Sequence, residues 1–230
     1  MAKKGMEYLE SSEKRALDIA SGVAAASVLL PAAVVVGAVA AVDTGTANPL
    51  FSQARVGGKL SATFKAWKLR TLPAGEQPPV VQTFGTFDPR ASKVGMFIRQ
   101  TGLDEIPQLL NVLGGNMSMV GTRPLPISDI DRNQAAAPHL FDDWYAYFQA
   151  VKPGITGESQ IFRHHYRHMT RDIIERSMQM DLDYFESASL RQDMRWLART
   201  PLRMIAANLH VVEELAENPI IAQASEAPLV

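Results

Sequence analysis

The order of apolar and polar positions divides this chain before any residue chemistry is considered. Between Asp18 and Asp43 no residue is charged, leaving a run of 24 residues from Ile19 to Val42. Spanning a bilayer takes about 20 apolar residues, and the chain has no second run of that length. Three readings compete for it. It is a spanning helix; or a cleaved signal peptide, with Lys3 and Lys4 ahead of it and Ala38-Val39-Ala40 as the small-residue cleavage site; or a re-entrant helix that enters and leaves by one face. Pro31, near the middle, predicts a kink, because proline removes one helical hydrogen bond and crowds the preceding turn. Lys14 and Arg15 precede the run, and Arg55, Lys59, Lys65, Lys68 and Arg70 follow it. Positive charge marks the cytoplasmic side, so both flanks ask for the same side. A straight span cannot satisfy them; a kinked hairpin can.

Beyond the run, residues 43–50 read as a turn-rich connector, and residues 51–72 as one or two short strands around Gly57-Gly58. Residues 73–93, with four prolines, predict a long loop, and Val94 to Gln100 a helix or short extended piece. Ile106, Leu109, Leu110 and Leu113 recur at helical spacing and predict a helix from Leu103 to Leu113, stopped by Gly114-Gly115. Residues 116–128 and 151–157 read as loops around Pro124, Pro126, Pro153, Gly154 and Gly157. Helices are expected over 139–150, Thr170 to Phe185, and from a Ser189 cap to Arg199, with Thr200-Pro201 opening a last one. The resulting fold class is α/β (α+β): a small sheet, surrounding amphipathic helices lying on an interface, and the N-terminal membrane segment. The organisation reads as a membrane segment over 1–45, a body over 46–217 and a tail over 218–230.

Composition narrows the chemistry. With no cysteine among 230 residues, disulfides, thiolate metal sites and cysteine nucleophiles are excluded. At 47% hydrophobic and 20% charged residues the chain is not disordered. A net charge of −1 argues against a general nucleic-acid binder. The balance is uneven: residues 1–127 carry a net +4 and residues 128–230 a net −5, so positive charge gathers with the apolar run.

Three constellations could carry a reaction. Asp104-Glu105 opens a predicted helix. One reading is structural, since Thr101-x-x-Asp104 matches a capping box and acids suit a helix N-terminus. In the other, adjacent carboxylates hold magnesium at an end suited to phosphate, and one of them attacks phosphorus. Lys68 and Arg70, two apart, share a face if they lie on a strand. With Arg99 and with Arg123, fenced by Gly121 and Pro124, they make a basic set suited to phosphate. The turn Pro153-Gly154-Ile155-Thr156-Gly157 is the third. His164, His165 and His168 lack a carboxylate or cysteine at ligand spacing and read as a solvated basic face.

Together these pieces resemble one family, the monotopic phosphoglycosyl transferases, bacterial sugar transferases that start glycan assembly on a polyprenyl phosphate. The stretch from Leu103 to Leu113, followed by Gly115-Asn116-Met117-Ser118-Met119-Val120-Gly121-Thr122-Arg123-Pro124, is similar to that family's signature. So are Phe51-x-Gln53-x-Arg55-Val56-Gly57, Lys68-Leu69-Arg70-Thr71, Lys152 to Gly157 with Gln160, and Asp181-x-x-Tyr184 with Ser189-Leu190 and Asp193. The resemblance covers roughly residues 14–205 and is to the small, catalytic-domain-only form.

It implies a re-entrant helix with both ends at the cytoplasmic face of a bacterial inner membrane. It also implies a two-step transfer of a sugar phosphate from a UDP-sugar to polyprenyl phosphate. Asp104 would be the nucleophile and Glu105 its partner, with Mg2+ at the pair; Lys68, Arg70, Arg99, Arg123, Gln160 and Asp181 would bind substrate or support the site. Membrane lipids, a homodimer and later glycosyltransferases are the expected partners. The chain departs from the family at Leu30 before Pro31, at Thr122 and Asn116, in the spacing from Arg55 to Lys68, and after Gln160, where Phe162-Arg163-His164 stands in place of Gly-Arg. These departures bear on which sugar is carried more than on the reaction.

Overall fold

The computed structural model describes residues 4–57, 63–73, 88–164, 166 and 169–200. Lys59, His165, His168 and the expected tail 218–230 lie outside the described residues.

After a short helix α1 (Lys4–Leu9), the apolar run forms a single helix α2 (Ser12–Thr44) of 33 residues, about 50 Å at 1.5 Å per residue. The Ser11 hydroxyl caps its start by accepting from the Lys14 amide at 3.1 Å. Gly45 closes it at φ 67°, a conformation glycine adopts without a Cβ clash. Pro31 lies inside the helix and does not end it.

The residues of α2 that face the protein are Lys14, Asp18, Gly22, Ala26, Ala33, Gly37, Ala40 and Thr44, a stripe of mostly small residues at steps of three, four or seven. Val23, Val28, Val34, Val35, Val39 and Val42 face outward. A helix in water would do the reverse. Small residues toward protein and large apolar ones outward is the pattern of a helix against lipid, and the chain is membrane-associated through it.

Both ends of α2 are bonded to the same body. At the start, Lys14 is buried and its Nζ reaches Asp193 at 2.7 Å, Asp18 at 3.2 Å and the Val120 carbonyl at 2.9 Å. Tyr8 and Tyr184 donate to the two oxygens of Asp193, and Asp18 accepts from Ser118 and the Met119 amide. Arg15 donates to the carbonyls of Val112 and Leu113 at 2.7 and 2.9 Å. At the far end Asp43 accepts from Ser92 at 2.6 Å. Membrane helix and body also share a core of Ala26, Ala33, Ile106, Leu109, Val112, Met117 and Met119.

The body carries two small sheets. β1 (Leu50–Val56) and β2 (Thr63–Leu69) pair antiparallel, Leu50 opposite Leu69 and Val56 opposite Thr63, in the segment where the sequence predicts one or two short strands. A helix α3 (Lys93–Gln100) follows, capped by Ser92. The expected helix from Leu103 to Leu113 is in fact a 3-10 helix (Leu103–Gln108) continued by a short α4 (Leu109–Leu113). Pro107 explains part of the tightening, since it has no amide for an α-helical bond.

The two segments read as loops each contain a strand. β3 (Ser118–Val120) and β4 (Gly154–Thr156) pair in parallel. Strands of three residues carry no visible alternation. This pairing depends on glycine: a Cβ at Gly154 would collide with the backbone of Gly121. Two further helices, α5 (Ile127–Ala136) and α7 (Glu158–His164), are not foreseen by the sequence pattern. With α6 (Pro138–Ala150), α8 (Arg171–Ser187) and the helical stretch 190–200 they close the second core around Trp144, Phe148, Met178 and Phe185.

Candidate active site

Asp104 and Glu105 lie in the first turn of the 3-10 helix, which begins from Gly102 at φ 70° with no side-chain cap. The capping-box reading is therefore corrected. Thr101 ends α3, and its hydroxyl turns back to the carbonyls of Phe97 and Ile98. The acids instead face Lys68 on β2, whose Nζ is 2.6 Å from Glu105 Oε1 and 3.7 Å from Asp104 Oδ2. Arg123 approaches Glu105 Oε1 at 3.9 Å.

The two carboxylates are driven apart in acidity. Burial, with the neighbouring charge of Glu105, pushes Asp104 up to about 6 against the pull of Lys68, Arg99 and Arg123. Burial acts on Glu105 in the same direction, but Lys68 and Arg123 outweigh it and bring Glu105 down to about 2. At neutral pH Glu105 holds the ion pair, and Asp104 is the more basic oxygen, free to act on something else.

The pair opens onto a cavity of about 550 Å³, within the size range of small-molecule sites. Lys68, Arg70, Arg99, Arg123 and Gln160, expected from sequence, all line it. Arg70 lies over the Phe51 ring at 5.6 Å, and Arg99 donates to Thr71 at 3.3 Å. The buried Nε of each guanidinium has no partner among the described residues. Gln160 holds the wall: its Nε2 donates to the carbonyls of Gly121 and Gly154, both at 3.0 Å, clamping the turn that presents Arg123.

Asp181 is not on the cavity wall. It is buried behind it, accepting from Trp144 Nε1 at 3.0 Å and from Ser159, and burial pushes it up to about 6 against those bonds. Its place is that of a support for α7 rather than a contact for substrate.

Arg163 and Arg55 stand in segments the sequence singled out without a role for them, whereas Asp129 and Arg132 lie outside every motif read from it. Arg163, on α7, is half-buried, with its buried Nε and Nη2 unpartnered among the described residues; desolvation first, then Arg123, brings it down to about 10. Its side chain lines the cavity where the family's Gly-Arg is absent. Asp129 and Arg132 line it from α5, three residues apart and paired at 3.2 Å. Arg55, fully buried, donates to the Pro124 carbonyl at 3.3 Å and to Gln53, fixing the Arg123 loop from behind. The i,i+3 spacing of Asp129 and Arg132 is readable in the sequence, but only the fold brings α5 to the acids. The cavity also has an apolar lining: Leu29 and Ala25 of α2 with Ile106, Leu109 and Leu197.

Magnesium fits this donor set. Two adjacent carboxylates facing an open cavity offer hard oxygens, and Mg2+ binds through one or two carboxylates while keeping waters and taking substrate phosphates. No group of three or more metal-binding side chains occurs among the described residues, so an all-protein cage is not built here.

Residues 9–207 match the family model described as "Bacterial sugar transferase". The "UDP-glucose:undecaprenyl-phosphate glucose-1-phosphate transferase" of Caulobacter vibrioides is 34% identical over 188 residues, 81% of this chain and 67% of that protein. The protein of the same description in Escherichia coli K12 is 37% identical over 79% of this chain, which spans 38% of the relative's length. A "Putative undecaprenyl-phosphate N-acetylgalactosaminyl 1-phosphate transferase" of Bacillus subtilis is 37% identical over 54% of this chain and 67% of that protein.

Proposed function

Because the chain belongs to the bacterial sugar transferase family, we propose that it moves a sugar 1-phosphate from a UDP-sugar to a polyprenyl phosphate, through a phosphosugar adduct on Asp104. The observation that carries this is the placement of an acidic pair, Asp104 buried and basic, Glu105 half-buried and ion-paired, on a cavity lined both by cationic side chains and by apolar ones contributed partly by α2. Names of relatives support the two substrates. Since those names differ in the sugar, they leave its identity open.

A diphosphate entering the cavity meets Arg70, Arg99, Arg123 and Lys68, which offset the repulsion between its charge and a carboxylate nucleophile. An Asp104 oxygen attacks the β-phosphorus. The bond from that phosphorus to the bridging oxygen breaks, and UMP leaves with the oxygen and its electron pair. Then an oxygen of polyprenyl phosphate attacks the same phosphorus, and the bond to Asp104 breaks, restoring the carboxylate. Splitting the transfer in two lets donor and acceptor use one site in turn. Glu105 stays ionised and holds Lys68 beside the reacting oxygens. A magnesium ion on the acidic pair would supply further charge stabilisation as the diphosphate reacts.

The apolar lining and α2 suit a lipid chain and a site at the membrane surface, and the basic residues flanking α2 support the cytoplasmic face of the bacterial inner membrane. Having both ends of α2 bonded to one body supports a re-entrant course. The test is intact-protein mass after incubation with a UDP-sugar and magnesium, without acceptor. The wild-type protein gains one sugar phosphate and Asp104→Asn does not. UMP release that needs no acceptor and continues for many turnovers would make the protein a phosphohydrolase. No release under any condition would make it a scaffold.

A further inference from the structure

Asp129 sits in the first turn of α5, 4% exposed, on the wall of the same cavity. One oxygen, Oδ2, is taken by Arg132 at 3.2 Å. The other, Oδ1, is buried and has no partner among the described residues. A buried carboxylate oxygen left without a donor is costly and calls for an explanation. Beside it on the wall, Arg163 has buried donors Nε and Nη2 equally without partners. The two groups feel each other's charge, yet they are not bonded to each other. An unused acceptor and an unused donor set thus lie within the wall of one cavity.

The chemistry of that pairing excludes phosphate as its ligand at Asp129, because a carboxylate repels it. The free oxygen can accept only from O–H or N–H. In a UDP-sugar such donors are the hydroxyls of the sugar, the hydroxyls of the ribose and one imide N–H of the base. Position selects among them. Arg123 links the two clusters: it approaches Glu105 at 3.9 Å, its charge also acts on Arg163, and all of these residues line one cavity. Asp129 and Arg163 therefore share both a cavity and the Arg123 guanidinium with the reacting acids. The sugar ring hangs directly on the phosphorus that Asp104 attacks, whereas ribose and base lie a further phosphate away.

We propose that Asp129, with Arg163 beside it, accepts and donates hydrogen bonds to the hydroxyls of the sugar being transferred, and so determines which sugar this protein carries. The inference rests on the sugar-phosphate transfer reading above. Acid and arginine together suit a polyol, whose every hydroxyl both donates and accepts. A site built to bond a particular hydroxyl rejects an epimer that cannot supply it.

The experiment is calorimetric binding of UDP-glucose, UDP-galactose, UDP-N-acetylgalactosamine and UMP to the full chain in detergent, for Asp104→Asn, which cannot form the adduct, and for the same chain carrying in addition Asp129→Asn or Arg163→Met. Asparagine keeps its oxygen on Arg132 and turns an N–H2 donor into the cavity, reversing the polarity of the contact. The expected result is a loss of roughly tenfold or more for the preferred UDP-sugar, a smaller change for its epimers, and an unchanged Kd for UMP. Equal weakening of all four ligands, or weakening of UMP alone, assigns the pair to the nucleotide and overturns the proposal, as does unchanged binding throughout. Arg163→Met, on a different helix, separates the same outcomes if Asp129→Asn does not fold. Because binding is read without turnover, a wild-type chain that forms no Asp104 adduct in the mass measurement fails the transfer reading and not this one.

Discussion

Replacing Lys68 by methionine tests whether electrostatics sets the reactivity of Asp104. The ammonium is 3.7 Å from Asp104 Oδ2, and both side chains are largely buried. Two unit charges at 3.7 Å interact by about 4.5 kcal/mol at an effective dielectric near 20, a ceiling of about three pH units on the acidity of Asp104. Arg99 and Arg123 still act on the carboxyl after the change, so the expected displacement is about one to two pH units. Asp104 must be ionised to attack. In the wild type, with Asp104 near 6, the rate of the first half-reaction climbs through pH 6 and levels off above 7. In Lys68→Met the climb moves toward pH 8, leaving about a tenth of the carboxylate ionised at pH 7. The assay is single-turnover UMP release without acceptor, from pH 5 to 9. Lost phosphate binding lowers the whole curve; lost electrostatic support moves its acid limb. A lowered curve with an unmoved limb would refute the charge argument and leave Lys68 as a phosphate contact only.

The adjacent acids should have opposite effects on stability. Asp104 is raised above its unfolded value, so its contribution is favourable below about pH 4 and is lost as pH rises through 6. Asp104→Asn therefore raises Tm at pH 7.5, and the gain fades below pH 4. Glu105 is depressed to about 2, so its stabilisation is present at neutral pH and is lost on acidification; Glu105→Gln lowers Tm at pH 7.5. Equal shifts of one sign in the two variants would contradict both assignments. Lys14→Met leaves Asp18 and Asp193 buried without their shared cation and should cost about 3–5 kcal/mol, read as an earlier urea midpoint in detergent. Cysteines placed at the exposed positions Glu10 and Thr63 of this cysteine-free chain should both resist an impermeant thiol reagent in intact cells and react after lysis. Labelling of only one from outside would establish a straight span.

The sequence by itself determined the parts whose signal is local. A 24-residue uncharged run needs no partner to suggest a membrane helix, and the alternation over 51–72 suggests strand there, though not its pairing. Asp104, Glu105, Lys68, Arg70, Arg99, Arg123 and Gln160 were legible as chemistry because their motifs are contiguous, and the fold brings all of them to one cavity. What depended on the tertiary structure is what arises between distant segments. The parallel pair of β3 and β4 joins residues 36 apart through glycines that read, in isolation, as turn residues. The closer approach of Lys68 to Glu105 than to Asp104, which no single residue type encodes, separates the acidity of two enclosed acids, and the turn of the Thr101 hydroxyl back onto α3 makes Thr101-x-x-Asp104 a coincidence of spacing. Asp181 carries the same carboxylate as Asp104, yet Trp144 and Ser159 hold it behind the wall. Asp129 and Arg163 have ordinary helical neighbours, and only the packing of α5 and α7 around one cavity leaves their inner atoms without partners. Periodicity reports which face of an element is buried; it cannot report what that face meets.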